Sequence, residues 1–143
     1  MLPDKEYAAL WESLTYQGKT FRDDIPLHYT QKHERVRSKS EVLIADILGD
    51  RGIPYKYECP LRIGNQTIYP DFTILRIRDR KQLYWEHLGL FDDSEYSTNA
   101  VSRINLYEAN GIFPGDNLII SFETQKNPLN RLIVERLIQQ YIL

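Results

Sequence analysis

From Ser38 onward, the apolar residues of this chain change their spacing from helical to alternating and back, and that succession limits the architectures open to it. Ser38-Lys39-Ser40-Glu41 has the Ser-x-x-Glu form of a helix start, and Val42, Leu43, Ile44, Ile47 and Leu48 follow at helical spacing until Gly49 or Gly52 can end the element. Tyr55, Tyr57, Cys59, Leu61 and Ile63 then alternate with polar neighbours, Gly64-Asn65 signals a hairpin, and Gln66 to Ile77 reads as the returning strand. The basic turn Arg76 to Lys81 leads into a third strand, Gln82 to Leu88. An acidic loop, Gly89 to Ser97, precedes a helix capped by Thr98 or Asn99, carrying Val101, Ile104, Leu106 and Tyr107 and stopping at Asn110-Gly111. Asn117 to Glu123 predicts one more strand, and Asn127-Pro128 predicts the start of a final helix. The order is α-β-β-β-α-β plus a C-terminal helix, an α/β fold with a sheet flanked by helices.

Ahead of this core, residues 4 to 16 place Tyr7, Ala8, Leu10, Trp11 and Leu14 at helical spacing, which predicts an extra N-terminal helix docked on the domain. Periodicity fades from Gly18 to Arg37. The segment His28 to Lys39 holds Lys32, Arg35, Arg37 and Lys39 against Glu34, a local charge of +3, with His28, Tyr29 and His33 between them. We therefore divide the chain into residues 1–37, a helix and basic connecting segment, and residues 38–143, the α/β domain. A chain of 143 residues, 42% of them apolar, supports one core of ordinary size. A net charge of −2 excludes a uniformly basic nucleic-acid binder, so any phosphate contact must be local. One cysteine, Cys59, excludes an internal disulfide and a thiolate zinc site. The absence of a long apolar run or a signal-like N-terminus predicts a cytoplasmic chain with no membrane partner.

Within the second strand Asp71 follows Pro70 and interrupts an apolar run; by strand parity it shares a face with Thr73 and Leu75. Glu86 on the third strand shares a face with Gln82, Tyr84 and Leu88, so the two carboxylates can project from one side of paired strands. Each is surrounded by Ile, Phe, Tyr, Trp and Leu, where an unpaired charge is costly. Glu41 is sufficiently explained as a capping residue, though it stands on the helix that precedes the sheet. By the same parity the His87 side chain points to the opposite face from Glu86, and Glu123 reads as an edge acid. Trp11 and Trp85 read as core anchors.

Pro70-Asp71 on the second core strand, Glu86-His87-Leu88 on the third and Glu41 on the first helix resemble the PD-(D/E)XK nuclease superfamily, the restriction-endonuclease-like fold, over residues 38 to 125. The resemblance implies a metal-dependent deoxyribonuclease in which Asp71, Glu86, Glu41 and the His87 carbonyl hold Mg²⁺ or Mn²⁺. The family's lysine position is Leu88, a departure. The resemblance then assigns the cationic role to Arg103 on the following helix or to Lys39. Lys32, Arg35, Arg37, Lys39 and Tyr107 are the candidate nucleic-acid contacts. The run Tyr84 to Gly89 also resembles nuclease-like domains attached to helicases or carried by mobile-element proteins. An alternative keeps the fold as a DNA-binding module without turnover; a third reading is a protein-interaction domain built on Trp11.

Overall fold

The structure, a computed structural model, describes residues 1–143. Helix α1 spans Asp4–Ser13, the hairpin strands β1 and β2 span His28–Tyr29 and Arg35–Val36, and helix α2 spans Lys39–Asp50. Strands β3 (Tyr55–Tyr57), β4 (Leu61–Ile63), β5 (Gln66–Ile68), β6 (Phe72–Arg76) and β7 (Lys81–Leu88) follow. Helix α3 (Ser94–Ala109), strand β8 (Leu118–Phe122) and helix α4 (Arg131–Tyr141) complete the chain. The result is a mixed α/β fold with four helices around a central sheet.

That sheet has the order β3-β6-β7-β8, antiparallel except for the parallel β7–β8 pair. A parallel pair needs a long crossover, which α3 supplies. Alternation sorts side chains cleanly between the two faces. Phe72, Ile74, Leu83, Trp85 and Ile119 point to one face and pack with Ile44, Ile47 and Leu48 of α2 and Val134 and Ile138 of α4. On the other face Tyr107 of α3 meets Leu118 and Ile63, while Ala8 and Trp11 of α1 cover Leu75. Trp11 also donates to Gln82 Oε1 at 3.0 Å, so the N-terminal helix is docked as expected. Phe72 and Trp85 have no exposed surface; truncating either to alanine removes about 3–5 kcal/mol.

Ser38 caps α2, its hydroxyl accepting from the Glu41 amide at 3.2 Å. Elsewhere the boundaries differ from those expected. The long hairpin breaks on both arms. Glu58 adopts φ 47°, a left-handed turn beside Pro60, and on the facing arm Tyr69 and Pro70 leave the ladder. β3 and β6 therefore stay in the main sheet, while β4 and β5 form a separate two-stranded sheet that lays Ile63 against Tyr107. Helix α3 begins at Ser94, capped by Asp93 rather than by Thr98 or Asn99, so the expected acidic loop is partly helical. α1 ends at Ser13, and α4 is capped by Asn130 rather than Asn127. The segment before α2 carries the unforeseen β1–β2 hairpin, and Val36, fully buried, belongs to the main core. No helix is long and apolar enough to cross a membrane.

Candidate active site

The β6–β7 register pairs Phe72 with Trp85 and Thr73 with Tyr84, and one step further it sets Asp71 beside Glu86 on the α3 face. Both acids line a cavity of about 290 Å³ together with Leu88, Tyr96 and Arg103. Leu88, where the resemblance implies a lysine, lines the cavity and contributes no charge. A second cavity of about 340 Å³ lies on the α2 side, lined by Arg37, Glu41 and Glu123. Asp71, His87 and Tyr96 border both cavities, which makes Asp71 the hinge point of a two-lobed site.

Each of the three acids has one oxygen held by the protein. Asp71 Oδ2 accepts from the His87 amide (2.8 Å). Glu86 Oε1 accepts from Arg103 Nη2 (2.9 Å) and from the Tyr107 hydroxyl (2.8 Å). Glu41 Oε1 accepts from the Arg37 amide (2.8 Å) and the Tyr57 hydroxyl (2.9 Å), so it reaches one residue beyond the Ser38 amide that a capping box would use. The other oxygens, Asp71 Oδ1, Glu86 Oε2 and Glu41 Oε2, make no well-formed hydrogen bond, the Asp71 amide adding only a weak pull on the Glu86 carboxylate, and they are not sealed from solvent. They are the available ligands of the site.

Burial pushes the Asp71 carboxyl well above its ordinary value, and the charges of Glu86 and Glu41 push it further; the His87 amide and Arg103 only partly oppose this. Burial also raises Glu86, against the pull of Arg103 and Tyr107. Glu41 is raised for the same first reason, despite the Arg37 amide and Tyr57. Crowded, buried carboxylates of this kind favour a cation among them. No three His, Cys, Asp or Glu side chains come close enough to form a metal-holding group. The pair Asp71 and Glu86 nevertheless suits Mg²⁺, which keeps several waters and is commonly bound by one or two carboxylates and a substrate phosphate. Glu41 lines only the second lobe.

Of the two candidate cations, Arg103 is at the site and Lys39 is not. Arg103 donates to Glu86 and to the Tyr69 carbonyl (2.6 Å), its Nε is buried without a partner, and burial, which works downward, is outweighed by the Glu86 charge that raises its pKa. Lys39 is exposed and lines neither cavity.

The proposed phosphate contacts fare unevenly. Tyr107 is fully buried and supports Glu86 from beneath, so it has no surface to offer a nucleic acid. Arg37 pairs with Glu58 (2.6 Å) and stacks on Phe21 at 4.1 Å from the ring centroid; Arg35 lies on the other contact to that ring at 4.3 Å and donates to the Ile25 carbonyl. Lys32 sits 5.4 Å from the Tyr55 ring centroid and remains exposed.

The His87 carbonyl faces the Tyr96 hydroxyl at 3.4 Å, while the His87 ring is buried on the opposite face, held between Ser121 and Glu123. Burial lowers the His87 pKa, against the pull of Glu123. Glu123 is no idle edge acid. Its burial works upward, yet the hydrogen bonds from Ser40 and His87 hold it below the ordinary carboxylate range. Tyr57, Tyr96 and Glu123 were not legible as site residues. One signal existed, since His87, Ser121 and Glu123 are polar residues at the core-facing parity of otherwise apolar strands.

The chain matches no protein-family profile, and neither curated proteins nor solved structures yield a significant match, so the chemistry of the site rests on its own geometry.

Proposed function

We propose that this chain is a metal-dependent nuclease of the restriction-endonuclease-like type, hydrolysing DNA phosphodiester bonds with Mg²⁺ or Mn²⁺ held by Asp71 and Glu86. The observation that carries this reading is the pairing itself: two carboxylates on adjacent antiparallel strands line one cavity, each with one oxygen anchored and one free, beside Arg103. The element order α2-β3-β6-β7-α3-β8 supports it, since the resemblance implies an α-β-β-β-α-β core and the β4–β5 hairpin stands apart from the main sheet. Function is argued from the site, since a shared fold alone would not specify chemistry.

In this mechanism the cation supplies charge neutralisation at the phosphate and a lowered pKa for attacking water. The chain's own residues do the positioning. The His87 amide orients Asp71 so that Oδ1 faces the cavity, and Tyr107 with Arg103 does the same for Glu86 Oε2. Arg103, which lines the same cavity, takes the role of the missing lysine and sets its positive charge beside the phosphate. Glu41 acts from the second lobe, through water rather than by direct ligation. The same reading extends to a role for the chain in a larger DNA-processing protein, such as one with a helicase domain or of a mobile element.

A second reading, a DNA-binding module without turnover, is favoured by one specific fact: Leu88 is neutral, and Arg103 is already committed to Glu86 and Tyr69. The experiment that separates the two incubates purified protein with single- and double-stranded DNA plus Mg²⁺ or Mn²⁺, with and without chelator. Cleavage that requires the ion and disappears in Asp71→Asn is expected. Cleavage that survives Asp71→Asn would remove the site from consideration. No cleavage, with DNA affinity that falls steeply with salt and survives chelation, would establish the second reading.

A further inference from the structure

Five hydrogen bonds converge between β7 and β8 from β7, β8, α2 and the segment before α4. Trp85 Nε1 can only donate, and it does so to Ser121 Oγ (2.9 Å), which leaves the Ser121 hydroxyl hydrogen for His87 Nδ1 (2.7 Å). The Glu123 carboxylate can only accept, so His87 carries a ring hydrogen on Nε2 and donates it to Glu123 Oε1 (2.8 Å). The same oxygen accepts from Ser40 Oγ in the first turn of α2 (2.5 Å), and Glu123 Oε2 accepts from the Leu129 amide (3.2 Å).

The order Ser121-His87-Glu123 has the connectivity of a nucleophile relay, yet Ser121 is only 2% exposed and lines neither cavity. No substrate reaches it. What the chain of bonds controls is backbone on both sides of the candidate site. The peptide N–H of His87, the residue whose ring is gripped, holds Asp71 Oδ2 at 2.8 Å. Ser40 immediately precedes Glu41, whose carboxylate faces the second lobe. One carboxylate beyond the end of β8 thus ties β7 to α2 at the level of the acids.

We propose that Glu123 is a positioning residue: by gripping the His87 ring and the Ser40 hydroxyl together, it sets the placement of Asp71 on β6–β7 relative to Glu41 on α2. The effect on cation binding rests on the nuclease reading above; the effect on Asp71 does not.

Two measurements on the full chain test it, amide hydrogen exchange at His87 and Mn²⁺ titration. In Glu123→Ala, exchange at the His87 amide should accelerate at least tenfold while the amides of Ile74 and Leu83 keep their wild-type rates, and Mn²⁺ affinity should fall about 10–100-fold. Glu123→Gln retains an acceptor oxygen for Ser40 and His87 and should restore most of both. Ser40→Ala, which removes only the α2 arm, should leave His87 protected and weaken Mn²⁺ by a smaller factor. Wild-type exchange at His87 in Glu123→Ala overturns the proposal. So does uniform acceleration across β6 and β7, because the carboxylate would then serve the fold alone. Selective loss at His87 in a protein that neither binds Mn²⁺ nor cleaves DNA supports the positioning role and overturns the nuclease reading.

Discussion

The two lobes that flank Asp71 solve the same problem, a buried carboxylate, in opposite ways. On the α3 side Glu86 receives a full positive charge, Arg103, together with the Tyr107 hydroxyl. On the α2 side Glu41 is hydrogen-bonded only by dipoles, the Arg37 amide and the Tyr57 hydroxyl, because the Arg37 guanidinium turns to Glu58 and acts on Glu41 only at longer range. Beside Glu86 a full positive charge opposes the upward push of burial, whereas at Glu41 the opposition comes mainly from dipoles. Under the nuclease reading, the α3 lobe would hold charge at the reacting centre and the α2 lobe would tune it.

That contrast is broken most directly by removing each charge in turn. Under the nuclease reading, Glu86→Gln should lower the ion-dependent cleavage rate by about a thousand-fold, roughly 4 kcal/mol of barrier. Glu41→Gln should cost only about 10–100-fold, as expected of a group acting through water. Equal losses would merge the two lobes into a single three-carboxylate site.

Stability should follow the same division. Arg103→Ala leaves Glu86 buried without its cation, and with the arginine itself about a third exposed the loss should be about 2–3 kcal/mol by denaturant titration. Adding Glu86→Gln to it should recover most of that, since the uncompensated charge disappears.

The pH dependence sharpens the comparison further. Asp71, Glu86 and Glu41 all hold protons more tightly folded than unfolded. Above the ordinary carboxylate range the native state keeps a proton the unfolded chain has lost, so their contribution declines as pH rises through the raised values. Glu123 has the opposite sign: its lowered value contributes stability above the ordinary range that is lost as pH falls through the folded value. Thermal melts of Asp71→Asn should therefore show a gain in Tm at neutral pH, and those of Glu123→Gln a loss that vanishes in acid. Mg²⁺ should raise the neutral-pH Tm of wild type and leave Asp71→Asn unmoved.

Smaller effects test the edges. Tyr57→Phe deletes one hydrogen bond to Glu41 and should cost about 1 kcal/mol. Lys39→Ala, on an exposed side chain outside both lobes, should stay within about 0.5 kcal/mol of wild type and leave cleavage unchanged.

Much of this was legible beforehand. Period-two alternation placed Asp71 and Glu86 on one face and sent His87 to the other, because side-chain direction in a strand is set by backbone geometry alone. The Ser38 cap also follows from local spacing, whereas Arg103 ahead of Lys39 follows only from the resemblance, which implies a cation on the helix after the third strand. The break of the long hairpin was not legible: Glu58 adopts a left-handed turn that its side chain does not demand, and it is held there by Arg37 from twenty-one residues away. Tyr107 failed as a surface contact for the complementary reason, since helical spacing alone does not tell which face the β4–β5 hairpin will cover.

By itself the sequence determined the order of the main elements and the polarity of each strand face, which are set by spacings under about ten residues, and strand parity extends this to Asp71 and Glu86, 15 residues apart. Tertiary structure alone decided that Glu41 would meet the site from a second lobe, that Arg37 would be spent on Glu58, and that Glu123 would join Ser40 to His87. Those contacts span 21 to 83 residues of chain, and their partners are chosen by how layers pack. Short-range geometry is encoded locally, whereas the pairing of distant polar groups follows only when burial leaves each of them one neighbour to accept.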